Sequence, residues 1–126
     1  MMEPIRLLLA DDNADFRAIV LAFLRSQPGL AVIGQAYDSR TALAQARTLH
    51  PDVVLLDVGM PDLNGLEAAR LMGRDSPGVR VIMLLPIVSE EYARAALSSG
   101  AVGSVPKERL DLDLLPAIAA ATRHSA

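Results

Sequence analysis

Asp57 closes the apolar run Val53-Val54-Leu55-Leu56 and opens the turn Val58-Gly59-Met60-Pro61. Two more apolar stretches end in charge. Asp11-Asp12 follow Ile5-Arg6-Leu7-Leu8-Leu9-Ala10, and Lys107 stands just past Val105-Pro106. The position of Lys107 is pointed, because the basic residues are 11 Arg and a single Lys. Three apolar strands that end in charge suggest one polar pocket at one edge of a parallel sheet. A carboxylate pair, a lone carboxylate and an ammonium are what a divalent metal and a transferred phosphoryl group need. Without a cation, three clustered carboxylates repel one another, so at least one should have a raised pKa.

The elements that would position these groups alternate along the chain. Ile5–Ala10 reads as a strand. Asp12 or Asn13 can cap a helix whose stripe is Phe16, Ile19, Val20, Phe23 and Leu24, the spacing of a buried face. Gln27-Pro28-Gly29 breaks it, and Leu30–Ala36 is a second strand. Ser39 can cap a helix with Ala42, Leu43, Ala46 and Leu49 inward, ending before Pro51. Val53–Asp57 is the third and most apolar strand. A short helix over 65–73 uses Leu66, Ala69 and Met72, and a fourth strand spans 79–84. Ser89 caps a helix through Tyr92, Ala93, Ala96 and Leu97, with Gly100 in the C′ place. A short strand at 101–105 follows, then a last helix with Leu112, Leu115, Ile118 and Ala119 inward.

Strands that alternate with helices in this way imply an α/β fold with a parallel sheet covered on both faces. In a doubly wound sheet of order 2-1-3-4-5, the first and third strands are neighbours about 4.8 Å apart. Their carboxyl ends then bring Asp11, Asp12 and Asp57 together at the switch point, where such sheets bind ligands.

Composition excludes several classes. A chain of 126 residues, 52% hydrophobic and 21% charged, fits one domain with a real core. The expected domain is 1–126, with its core over about 5–123. A net charge of −3 argues against nucleic acid as the direct partner of this segment. There is no cysteine, hence no disulfide framework and no thiolate metal site. The first ten residues lack the pattern of a signal peptide, and no run approaches the roughly 20 apolar residues of a membrane span. These features fit a cytoplasmic protein with no membrane partner. His50 and His124 are expected at the surface rather than as ligands.

The strings LLLADD, VVLLDVGMPDLNG, SSGAVG and VPK, at these spacings, resemble the receiver domain of two-component response regulators. The resemblance spans nearly the whole chain. The form SEEYARAALSSGAVG is most similar to the branch usually joined to a helix-turn-helix DNA-binding domain. Nucleic acid would be reached only through such a domain, which these residues do not include. The resemblance implies a flavodoxin-like fold with five strands and five helices. It implies that Asp57 accepts a phosphoryl group from a histidine kinase or phosphotransfer protein. It further implies that Asp12 and Asp57 bind Mg²⁺ directly, Asp11 acts through water, the Gly59 carbonyl completes the protein ligands, and Lys107 contacts the phosphoryl group. The family's usual output and dimer surface is the face of the fourth helix, fifth strand and fifth helix. Tyr92, Ala96, Ser104, Arg109 and Asp111 would lie on or near it, so a homodimer through this face is an implied partner. Self-phosphoryl transfer and autodephosphorylation are the only chemistry implied.

The departures from the family are as informative. Leu85 stands where the family usually has Thr or Ser, whose hydroxyl bonds the phosphoryl group. Pro86 follows, and proline has no N–H to offer. Ser104 replaces the usual Tyr or Phe of the fifth strand. Pro106 precedes Lys107, which an edge strand tolerates. The acceptor half of the site is therefore expected to be intact, and the readout half altered. A receiver-like interaction module that works without phosphate is the alternative. In a third class, a haloacid-dehalogenase-type phosphatase needs a second acid two residues after the first, where Gly59 stands. A nucleotide-binding fold wants a glycine-rich loop in place of Asp11-Asp12-Asn13-Ala14. Each charged residue also has a plain reading alone: Asp11-Asp12 as a helix cap, Lys107 as a surface lysine.

Overall fold

A computed structural model describes residues 3–123 of the chain; His124 lies outside them. Strand and helix alternate as β1 (Ile5–Ala10), α1 (Ala14–Arg25), β2 (Leu30–Ala36), α2 (Ser39–Leu49), β3 (Val53–Asp57), α3 (Gly65–Asp75), β4 (Arg80–Leu85), α4 (Glu90–Ser98), β5 (Gly103–Pro106) and α5 (Leu110–Thr122). A 3₁₀ turn at Lys107–Arg109 leads into α5. The five strands form one parallel sheet in the order β2-β1-β3-β4-β5, the doubly wound flavodoxin-like order expected from the sequence.

Successive side chains of a strand point to opposite faces, and here both faces are covered. Leu8, Ala10, Val54, Leu56, Met83 and Leu85 face a cluster with Ala42 and Ala46 of α2, Ala68, Ala69 and Met72 of α3, and Ala96 of α4. Leu7, Leu9, Val53, Leu55, Ile82, Leu84 and Val105 face the other way, onto Val20, Leu21 and Leu24 of α1 and Leu110, Leu114, Ile118 and Ala121 of α5. β3 lies between β1 and β4, which is why every one of its five residues is buried.

Several helical faces differ from those expected. In α5 the buried stripe is Leu110, Leu114, Ile118 and Ala121, not Leu112, Leu115, Ile118 and Ala119. Leu112 is 62% exposed. The helix LDLDLLPAIAAAT is apolar nearly all round, so its pattern singles out no face and docking on the sheet selects one. In α1, Ile19 is exposed and Leu21 is buried in its place. In α4, Tyr92 and Leu97 face solvent and only Ala96 is fully buried, because the helix packs through its small residues.

Boundaries move by small amounts. α3 runs to Asp75 instead of ending at 73, β4 begins and ends one residue later, and β5 covers Gly103–Pro106 instead of 101–105. Residues 100 and 101 lie just past α4 and cap its end. Gly100 takes φ +103° as expected of a C′ glycine. The Gly100 N–H donates to Leu97 O and the Ala101 N–H to Ala96 O, closing a Schellman motif. Pro106 pairs with Leu85 at the sheet edge, which leaves its missing N–H without consequence.

Candidate functional site

The site lies at the carboxyl ends of β1, β3 and β5. β1 delivers Asp11 just past its last residue, β3 delivers Asp57 as its own last residue, and β5 delivers Lys107 at the start of the 3₁₀ turn. Register makes the convergence possible: Ala10 pairs with Leu56 across β1 and β3, and Asp57 pairs with Leu84 across β3 and β4. Carboxylate oxygens of Asp11, Asp12 and Asp57 lie within 4.8 Å of one another. Lys107 Nζ stands 2.7 Å from Asp11 Oδ2 and 3.6 Å from Asp57 Oδ2. The four charged residues singled out in the sequence thus form one cluster.

Burial divides them. Asp11 is fully buried and Asp57 only 5% exposed, whereas Asp12 is open to solvent. Asp11 is oriented by the Asn13 N–H, which donates to its Oδ1 at 2.9 Å. No aligned hydrogen bond reaches its buried Oδ2, which has only the nearby ammonium for compensation. Asp57 Oδ1 accepts from the Gly59 N–H at 3.1 Å. This set fits a hard divalent cation. Three carboxylates converge, and one of them, Asp12, is exposed enough to admit bound waters.

Burial raises the pKa of the Asp57 carboxyl. The Gly59 N–H pulls it back down, the Asp11 charge raises it again, and Lys107 opposes that. A raised pKa was expected from carboxylate repulsion, but loss of water is the larger cause. The sign of the linkage follows. The folded state binds the proton more readily, so ionising Asp57 costs stability as pH rises from the ordinary 3.8 through the higher folded value. Metal-free wild type should therefore lose stability relative to Asp57→Asn across that window. Parallel denaturant titrations of the two proteins at stepped pH check this; a difference that does not change with pH would remove the buried-charge account.

The helix that follows Asp11 is capped by Asn13, the second of the two expected residues, whose Oδ1 accepts from the Phe16 N–H. Three neighbours of the site went unread in the sequence. The Phe16 ring lies 4.5 Å from Lys107 Nζ, an apolar wall that also attracts the cation. The Arg17 guanidinium donates to the Asp11 carbonyl at 2.6 Å. Glu108 Oε1 accepts from the Val88 N–H at 2.9 Å, tying the loop after β4 to the turn that carries Lys107. Phe16 and Arg17 follow Asp11-Asp12 closely, so their nearness was recoverable. The link between Glu108 and Val88 was not, since 20 residues separate them.

Ser39 is not the cap of α2. That place belongs to Asp38, whose side chain accepts from the Thr41 N–H, and Ser39 is buried with its hydroxyl donating to Leu63 O at 2.6 Å. At the other side of the loop, Gly65 is required by space: a Cβ there would stand 2.5 Å from the Asp57 carbonyl oxygen and 2.6 Å from Val58 Cα. Met60 is buried in the adjoining core.

The altered positions are also defined. Leu85 is 1% exposed and belongs to the apolar cluster with Met60, Ala96 and Ala101. Pro86 is exposed, and Ser104 is partly buried opposite Met83. Of the residues expected on the outer face, Tyr92, Arg109 and Asp111 are exposed, but Ala96 is not: it is fully buried against β4 and β5. Tyr92 and Leu97 of α4, Val102 before β5 and Leu112 of α5 are exposed apolar side chains. His50 is exposed and ends α2 with φ +51°. Clefts of about 360 and 490 Å³ open around Asp52 and Gly78, at the opposite edge of the sheet. None of Asp11, Asp12, Asp57 and Lys107 lines either cleft.

The site is thus a cluster of carboxylates with a lysine at the switch point of a doubly wound parallel sheet. Residues 7–119 match the response regulator receiver domain, and the chain belongs to that family. It is 36% identical over 124 residues to the transcriptional regulatory protein YxjL of Bacillus subtilis, covering 98% of this chain and 57% of that protein. It is 43% identical over 117 residues to a protein-glutamate methylesterase/protein-glutamine glutaminase of Geobacillus kaustophilus, covering 90% of this chain and 33% of that one. The chain thus spans less than two thirds of the length of either. Among solved structures, the response regulator domain of CheB from Thermotoga maritima superposes with a TM-score of 0.89 at 32% identity, covering 96% of this chain and 98% of that one. The signal receiver domain of NarL from Mycobacterium tuberculosis gives 0.90 at 27% identity, covering 98% and 99%. No helix among the described residues is long and apolar enough to cross a membrane.

Proposed function

We propose that this receiver domain takes a phosphoryl group onto Asp57 from the phosphohistidine of a histidine kinase or phosphotransfer protein, in the cytoplasm and with Mg²⁺. The observation that carries the reading is the state of Asp57. Its carboxylate is nearly buried, with one oxygen held by the Gly59 N–H and the other 3.6 Å from the Lys107 ammonium.

In the transfer, an Asp57 carboxylate oxygen attacks phosphorus, an O–P bond forms, and the N–P bond to the donor imidazole breaks. The electron pair of that bond stays with the imidazole, and Asp57 becomes an acyl phosphate. Asp12 and Asp57, with Asp11 through water and the Gly59 carbonyl, would hold Mg²⁺. When bound, Mg²⁺ supplies positive charge for the phosphoryl oxygens. Lys107 supplies a second positive charge, and its compact ammonium suits one oxygen. Burial disfavours an ionised Asp57, and the acyl phosphate that replaces it carries more negative charge, so the positive charge of Lys107 and of the cation would matter more after transfer than before.

The domain acts as a signalling module, turning over no outside substrate and performing only self-phosphoryl transfer and autodephosphorylation. Its readout is weakened. Leu85 has no hydroxyl, Pro86 has no N–H, and Ser104 has no ring to move, so the phosphoryl group has fewer ways to favour a second state. The α4–β5–α5 face would serve as an output or homodimer surface. Any contact with nucleic acid would belong to another domain.

The test is incubation with a small phosphodonor such as acetyl phosphate, with and without Mg²⁺, followed by mass spectrometry of intact protein and peptides. One phosphoryl group on Asp57, dependent on Mg²⁺, is expected. No adduct under conditions that label an ordinary receiver would replace this reading with the phosphate-independent interaction module. Label on another residue would remove Asp57 from its role.

A further inference from the structure

The loop between β3 and α3 carries Gly59, whose N–H holds Asp57 Oδ1. Its ends are anchored: the Val58 N–H donates to Leu84 O at 3.1 Å and the Gly65 N–H to Val58 O at 3.0 Å. Among the described residues, the other hydrogen bonds seen between residues 59–63 and the rest of the fold go to the first turn of α2. The Ser39 N–H donates to Asp62 Oδ1 at 2.9 Å and the Arg40 N–H to Asp62 Oδ2 at 3.0 Å. The Ser39 hydroxyl donates to Leu63 O at 2.6 Å.

α2 already has its own cap, because Asp38 Oδ1 accepts from the Thr41 N–H at 2.7 Å. Asp62 takes the two N–H groups that Asp38 leaves over. A helix start offers several donors and a positive dipole end, and one side chain cannot satisfy them all. A carboxylate arriving from 23 positions away and taking two of them fixes the loop as much as the helix. Burial works to raise the Asp62 pKa, but bonds from the Ser39 and Arg40 N–H groups outweigh it and hold the carboxyl below its ordinary value. The Arg40 side chain adds little, being 3.9 Å away and 77% exposed.

We propose that Asp62 is a positioning residue of the Asp57 site: by clasping the first turn of α2 it holds the β3–α3 loop where Gly59 meets Asp57 and the cation. The part that concerns the cation rests on the proposed function. The loop geometry does not.

The deciding measurement is amide hydrogen exchange at Gly59 in metal-free protein, for wild type, Asp62→Ala, Asp62→Asn and Asp38→Ala. Asp38→Ala is the control, since it removes the ordinary cap of the same helix and leaves the loop bonds in place. Exchange at Gly59 should speed up roughly tenfold in Asp62→Ala, less in Asp62→Asn, which keeps one acceptor, and not in Asp38→Ala once global stability is matched with denaturant. Mg²⁺ affinity, read by calorimetry, should fall roughly tenfold in Asp62→Ala and hold in Asp38→Ala. Unchanged Gly59 exchange in Asp62→Ala, or equal acceleration by Asp38→Ala, overturns the proposal. If wild type itself binds no Mg²⁺, the metal reading fails while Gly59 exchange still decides the role of Asp62.

Discussion

Asp57→Asn should abolish labelling by a phosphodonor outright while making the metal-free protein more stable at neutral pH. The two effects share a cause. The carboxylate proposed to accept the phosphoryl group is also the one whose ionised form burial penalises. A variant that is inert yet more resistant to denaturant cannot have lost labelling through unfolding. Lys107→Ala separates the cation from the acceptor. Its ammonium is the charge beside both buried carboxylates, at 2.7 and 3.6 Å. Removing a charge-assisted contact worth about 1.5–3 kcal/mol should slow labelling by about 10- to 100-fold. The same variant should lose stability most in the absence of Mg²⁺, because no second cation then offsets Asp11. Lys107→Arg keeps the charge but is not expected to restore the rate, since a planar fork fits a one-oxygen position poorly. Time courses of intact mass with acetyl phosphate, beside melts with and without Mg²⁺, measure all three. A Lys107→Ala rate within twofold of wild type would take the lysine out of the reaction.

Leu85→Thr should cost about 2–4 kcal/mol and, paired with Ser104→Tyr, should widen the response to a phosphoryl mimic. The cost follows from the position. Leu85 is 1% exposed among Met60, Ala96 and Ala101, so Thr leaves unfilled volume and brings a hydroxyl into apolar surroundings. The gain follows from the chemistry, because a hydroxyl at the end of β4 can donate to a phosphoryl oxygen and Leu cannot. With beryllofluoride on Asp57, large wild-type amide shift changes should be confined to the Asp57 loop, over 57–64. In the double variant, changes should extend through 86–106. Large wild-type changes over 86–111 would show that the altered positions still transmit the signal. The bond from Val88 to Glu108 gives such changes a route if they occur, since Glu108 adjoins Lys107.

The order of elements and the charged cluster were both legible in the sequence, for a common reason. β3 is buried on both faces, so its run of Val and Leu is continuous and a polar residue at its end stands out. Asp11-Asp12 and Lys107 end their own apolar stretches in the same way. Caps depended on local chemistry and were read well where the chain supplies its own partner, as at Asn13, Ser89 and Gly100. One was misread where two adjacent residues could both cap. Ser39 looks like a cap to its own helix, but Asp38 fills that place and Leu63 O takes the Ser39 hydroxyl.

The sequence by itself marked where β1, β3 and β5 give way to charge, and with that Asp57, the Asp11-Asp12 pair and Lys107, because the change from apolar to charged residues is visible along the chain. Only the tertiary structure decided how α5 turns, since a helix apolar on nearly every side has no preferred face until a sheet selects one. Only the tertiary structure joined Asp62 to α2 and Glu108 to Val88, because those bonds link segments that no local spacing relates. The division has a physical basis. Patterning along one element reflects how much of it is buried, while the bonds between elements depend on where the finished packing leaves each donor and acceptor.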